Sequence, residues 1–98
     1  MPRVELSARA IENLARLIET HSLPEDTRQR LRRSLQHLHR FPSVGAPLDG
    51  RWHGLRFLLG PWRWMIVVYA YREDEDRVVV VTIQDGRASR SPTAGRAK

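Results

Sequence analysis

Arginine is the residue type in this chain with the greatest capacity for chemistry. All 17 basic residues except Lys98 are arginines, and against 11 acidic residues they leave a formal net charge of +6. A guanidinium is planar, always charged and carries a fork of donors that fits phosphate or carboxylate. A domain so charged attracts phosphate backbones or acidic protein partners. A GC-rich genome explains arginine in place of lysine, but not the excess of positive charge. Histidine supplies proton shuttling near neutral pH, yet the spacing of His21, His37, His39 and His53 makes no recognisable metal site. The first three fall on or beside expected helices and His53 falls in a loop. Three of the seven aromatics are tryptophans, Trp52, Trp62 and Trp64. Rings flanking Arg63 suit base stacking or the anchoring of a partner helix, although Trp64 equally suits core filling. Tyr69 and Tyr71 share a parity with Arg63, but their central position favours packing. There is no cysteine, which excludes disulfides, zinc ribbons and thiol nucleophiles and fits a reducing compartment.

The elements that must position these groups are legible in the hydrophobic period. Arg3 to Leu6 alternates and predicts a short strand. Ser7 is placed as an N-cap, and Ile11, Leu14, Ala15 and Ile18 follow at helical spacing, which predicts a helix ending near Thr20 to Ser22. Pro24 suits the first turn of a second helix, with Glu25 and Asp26 favoured by its dipole and Leu31, Leu35 and Leu38 as its apolar stripe. Asp26 and Arg30 form a favourable i, i+4 pair, and Phe41-Pro42 ends the helix. The short link between the two helices predicts an antiparallel hairpin.

Pro42, Gly45, Pro47 and Gly50 mark residues 42 to 53 as loop. The period then becomes two. Leu55, Phe57 and Leu59 share one strand face, and Gly60-Pro61 turns the chain. Arg63 to Arg72 is apolar on both faces and predicts a central strand covered at least in part on both sides. Glu73 to Asp76 is a hairpin connection whose charge disfavours edge aggregation. Arg77 to Gln84 is the last strand. Helices followed by strands predict an α+β fold: an N-terminal strand, an antiparallel helical hairpin, then a three-stranded antiparallel meander, with the helices on one face of an antiparallel sheet.

Ninety-eight residues make one domain, here residues 1–87, followed by a basic tail over 88–98 expected to be disordered unless a partner holds it. The N-terminus lacks the apolar core of a signal peptide. The longest apolar stretch, Trp64 to Tyr71, is far short of the roughly 20 residues of a membrane span. A cytoplasmic protein with no membrane partner is expected.

This layout resembles the RelE/ParE toxins of bacterial type II toxin–antitoxin systems, and local motifs carry the likeness over about residues 3 to 90. Leu35 to Pro42 is similar to the family's leucine-then-proline helix ending. The loop with Gly45, Pro47-Leu48 and Gly50 is similar to its G-x-P-L-x-G. Gly54-Leu55-Arg56-Phe57-Leu58 and Gly60-Pro61-Trp62-Arg63 look like its R-x-L strand and the opening of its central strand. Ile83-Gln84-Asp85-Gly86-Arg87 looks like its terminal I-x-x-x-R.

The resemblance implies a growth-inhibiting toxin neutralised by a cognate acidic antitoxin, with no cofactor, metal or small-molecule substrate. It implies two possible attacks, ParE-like inhibition of DNA gyrase or RelE-like endonucleolytic cutting of mRNA in the ribosome. A metal-independent ribonuclease needs a base, a donor for the leaving oxygen and cations around the phosphorane. Arg56, Arg63 and Arg87 match the family's cation positions, with His53 as the candidate base. Arg56 and Arg63 are equally suited to pairing with an acid such as Asp85. RelE-like members usually carry a tyrosine or histidine after the last strand, and residues 88–98 hold neither. The supporting lysines are also missing, apart from Lys98. These departures favour the gyrase inhibitor, with the ribosome-dependent mRNA endoribonuclease as the alternative. A small basic RNA-binding module is a third reading, though the chain lacks the aromatic pattern of an RRM and the GXXG loop of a KH domain. The antitoxin is expected to cover the sheet or the helix groove and to occlude the Arg56–Arg63–Arg87 region.

Overall fold

The computed structural model describes residues 2–87; the tail expected over 88–98 lies outside the described residues. Strand β1 (Arg3–Leu6) leads through Ser7 into helix α1 (Ala8–Thr20). Ser7 caps the helix, its hydroxyl accepting from the Ala10 N–H at 3.1 Å. Helix α2 (Thr27–Leu35) continues as a 3-10 turn over Gln36–His39. Pro24 is not in the first turn of α2. It precedes the helix, and its carbonyl accepts the Thr27 hydroxyl at 2.6 Å and the Thr27 N–H at 3.1 Å. That pair of bonds tightens the entry and buries Thr27 completely. Asp26 and Arg30 do pair, at 3.0 Å.

Three further strands and one short edge piece complete the sheet: β2 (Ala46–Pro47), β3 (Arg56–Leu59), β4 (Met65–Arg72) and β5 (Arg77–Asp85). Their order is β1-β5-β4-β3-β2. The expected meander β3-β4-β5 is present and antiparallel. Two features depart from expectation. The sheet is mixed rather than antiparallel, because β1 joins β5 in parallel register from Arg3↔Arg77 to Leu6↔Val80. The loop over 42–53 also contributes β2, which pairs with the start of β3, and a 3-10 turn over Gly50–Trp52.

β1 stops at Leu6, yet β5 runs on to Asp85, leaving five residues of sheet edge that another strand would normally cover. Helix α1 covers them instead. The Ser7 hydroxyl donates to the Val81 carbonyl at 2.9 Å, and the Asn13 side-chain oxygen accepts the Ile83 N–H at 3.2 Å and the Thr82 hydroxyl at 2.6 Å. These side chains satisfy the groups that a backbone ladder would have paired. The same stretch carries a bulge: Val68 pairs with Thr82 but Tyr69 pairs with Val80, so Val81 has no partner on β4. A bulge slips the alternation by one residue. That slip is why Val78 and Val80, and then Ile83, are the β5 residues of the main core.

The main core lies between the helices and one sheet face, where Ala10, Leu14, Leu31, Leu35 and Leu38 meet Met65, Val67, Tyr69, Val78, Val80 and Ile83. Ile66 and Val68 on the other face of β4 are covered by Leu48 with Trp52, Leu55 and Phe57, so the expected two-sided cover is present. The stripe expected on α1 is rotated. Ile11 is 54% exposed and Ala15 is exposed, while Ala10, Leu14 and the polar Asn13 turn inward. Period alone could not place a helix that must also deliver Asn13 to a strand edge. No helix among the described residues is long and apolar enough to cross a membrane.

Candidate functional site

The arginines singled out by the sequence fall at two separate ends of the sheet. Arg56 opens β3 beside Tyr69 of β4. Its Nη1 donates to the Gly45 carbonyl at 2.7 Å, and the Gly45 N–H donates to the Tyr69 hydroxyl at 2.9 Å. One peptide segment is thus held on both sides by side chains of two adjacent strands. Gly45 must be glycine here, because a Cβ would sit 2.6 Å from the Tyr69 hydroxyl and 2.7 Å from the Phe57 carbonyl. Burial raises the Tyr69 phenol above its ordinary value, opposed by the Gly45 hydrogen bond and the nearby Arg56 charge. His53 is exposed, and it lines a shallow cleft of about 220 Å³ with Pro47, Asp49 and Arg56.

Arg63 and Arg87 lie at the other end. Arg63 does not open the central strand but sits exposed in the turn before it, because Gly60-Pro61 makes a tight reversal closed by the Gly60 N–H donating to Met65 and the Met65 N–H donating to Trp62, both at 2.9 Å. The Gly86 N–H donates to the Trp64 carbonyl, which brings the end of β5 against this turn. Between Met65 and Tyr69 run four strand steps, roughly 13 Å, and Arg63 lies further out still. Arg56 therefore does not join Arg63 and Arg87.

Around Arg63 the rings and cations form a ladder. Trp62 and Trp64 stack at 6.2 Å with 22° between planes. The Arg30 guanidinium lies 5.8 Å over Trp62, and that of Arg87 lies 5.0 Å over Trp64. His21 packs on Trp64 at 4.6 Å and reaches Asp85 at 3.5 Å, a charged contact only when the imidazole is protonated. Asp85 is the partner of Arg87, through Nε at 2.9 Å and Nη2 at 2.8 Å, and not of Arg56 or Arg63. That side-chain bond, against some desolvation, holds the Asp85 carboxyl below its ordinary value. Arg63 has no ion pair among the described residues.

Sequence reasoning placed Trp62, Trp64 and Arg87 near Arg63 but missed His21 and Arg30. Each comes from a helix end far away in the chain, and neither belongs to a local motif. The remaining histidines do not converge. His39 Nδ1 lies 3.0 Å from the Pro2 carbonyl, and among the described residues no three potential ligands cluster for a metal. The arrangement offers surface cations and stacked rings for binding. Among the described residues it does not gather a base, an acid and a cation cluster around one point.

The family model for the ParE toxin of the type II toxin–antitoxin system parDE matches residues 4–89. Solved structures share the fold. The RelBE2 toxin–antitoxin complex from Mycobacterium tuberculosis is similar at 20% identity and a TM-score of 0.63, over 87% of this chain and 99% of that one. The isolated Escherichia coli RelE toxin is similar at 19% identity and a TM-score of 0.63, over 99% and 95%. A metal-bound toxin from Helicobacter pylori reaches a TM-score of 0.66 at 16% identity, over 87% and 94%. Comparison with curated proteins gave no match.

Proposed function

Since the chain belongs to the ParE toxin family of type II toxin–antitoxin systems, we propose that it arrests growth by binding a protein target, DNA gyrase, rather than by cutting RNA. The observation that carries this reading is the separation of the arginines. A metal-free ribonuclease needs its cations, base and acid within reach of one phosphate. Here Arg56 is committed to Gly45 and Arg87 to Asp85, while Arg63 stands apart from Arg56 at the opposite end of the sheet. Tyr69, the phenol nearest Arg56, is fully buried and occupied by Gly45. Binding a protein requires none of these groups to converge. It uses arginine and tryptophan anchors, and the ladder around Arg63 provides exposed Arg30 and Arg87 beside the half-buried rings of Trp62 and Trp64.

The neutralising partner is an acidic antitoxin, in keeping with the net charge of +6, and its association weakens as salt rises. Two assays test the target together: supercoiling by purified gyrase with added toxin, and mapping of mRNA 5′ ends after brief induction. Inhibited supercoiling without new 5′ ends is the expected result. New ends within translated codons, lost in Arg63→Ala, would overturn this reading in favour of the ribosome-dependent nuclease.

A further inference from the structure

A further cleft lies outside the two arginine clusters just described and contains none of Arg30, Arg56, Arg63 and Arg87 among its described lining residues. It is an open cleft of about 740 Å³ lined by Arg9 of α1, Arg51 and Trp52 of the 3-10 turn, and Gln84 of β5. Among the described residues no carboxylate lines it. Arg9 and Arg51 are both exposed, and neither has an ion pair among the described residues. The Trp52 ring is anchored from below by the Leu48–Ile66–Val68 cluster, and the Arg51 guanidinium lies 5.4 Å over it. Gln84 donates to Thr82 through Nε2 at 2.7 Å, which holds its amide in place.

We propose that this cleft binds a nucleotide unit, its base stacked on the Arg51–Trp52 platform and its phosphate held by Arg9. The chemistry follows from the residues. Aromatic rings and guanidinium planes both stack with nucleobases, and every base has a face to offer. A second guanidinium on the same cleft, with no carboxylate among the described lining residues, supplies charge-assisted donors for a phosphate. A fixed ring is a better platform than a mobile one because less side-chain freedom is lost on binding, and the apolar cluster beneath Trp52 fixes it. The unit has two possible sources, a free nucleotide or one residue of a single strand. The site is independent of the gyrase reading, since it uses none of Arg30, Arg63 or Arg87.

The test uses the whole protein and a fluorescently labelled single-stranded oligonucleotide of about six nucleotides, read by anisotropy, with a mononucleotide and inorganic polyphosphate as competitors. Arg9→Ala and Arg51→Ala are each expected to weaken binding by about tenfold, the equivalent of one lost stacking or charged contact, with unchanged melting temperatures. Arg63→Ala is expected to bind as wild type. Mononucleotide competing as well as unlabelled strand identifies a free nucleotide as the ligand, and mononucleotide competing poorly identifies a strand; both support the site. Absence of binding overturns the proposal. So does binding indifferent to Arg9→Ala and Arg51→Ala, or polyphosphate competing as well as the oligonucleotide, which would reveal charge attraction alone.

Discussion

Arg56 and Arg87 are the same residue type, and the sequence offers both for the same cationic role, yet the fold gives them opposite employment. Arg56 is half-buried and donates to a backbone carbonyl in a segment whose other side is gripped by a fully buried tyrosine. Arg87 is exposed, lies over a tryptophan ring and shares its fork with a single carboxylate two residues away. The first arginine helps to build the sheet edge. The second bonds a carboxylate at the surface and supports no buried group. The difference lies in what surrounds the guanidinium, a buried peptide in one case and the outer face of a half-buried ring in the other.

Breaking the Gly45 end should have the largest effect. Gly45→Ala drives a methyl into the Phe57 carbonyl and the Tyr69 ring, with Tyr69 Cε1 at 2.7 Å, and neither can yield freely. A loss of about 3 kcal/mol in unfolding free energy is expected by chemical denaturation. Tyr69→Phe comes next. It removes the acceptor for a buried N–H, which costs about 2 kcal/mol, and it also changes the alkaline limb. Because the folded phenol titrates above its ordinary value, its contribution is present below about pH 10 and is lost as pH rises through the folded value. The Tyr69→Phe protein should lack that limb in melting curves taken against pH.

At the tryptophan end the effects are smaller. The Asp85 carboxyl titrates below its ordinary value in the folded protein, chiefly through its bond to Arg87. Its contribution is therefore present at neutral pH and fades as pH falls below about 4. Wild type and Asp85→Asn should differ in melting temperature at neutral pH and converge in acid; a gap that persists in acid would contradict this account. The smallest effect on stability belongs to Arg87→Ala, which removes the same bond from its exposed side and should lower the melting temperature by no more than Asp85→Asn does, because exposed pairs contribute little. A large loss of stability in that variant would erase the contrast between the two arginines.

Much of the fold was legible in advance because it is local. The Ser7 cap, the leucine stripe Leu31, Leu35 and Leu38, the Gly60-Pro61 reversal and the apolar run of β4 each follow from a handful of neighbouring residues. The rotation of α1 did not, because Asn13 is turned inward by a strand 70 residues away rather than by its own helix. The four valines Val78 to Val81 concealed a bulge, since four identical side chains carry no parity. At the candidate site the chain revealed that arginine and tryptophan cluster around residue 63. It did not reveal that Asp85 clamps Arg87, or that His21 and Arg30 complete the ladder.

The sequence by itself determined the order of elements, the surplus of positive charge and the exclusion of thiol chemistry, because these depend on composition and on contacts within a few residues. Only the tertiary structure decided which arginines are spent on the fold and which face solvent. That distinction depends on burial and on partners supplied by distant segments. Gly45 and Tyr69 are 24 residues apart, and no spacing rule connects them until the sheet brings them into contact.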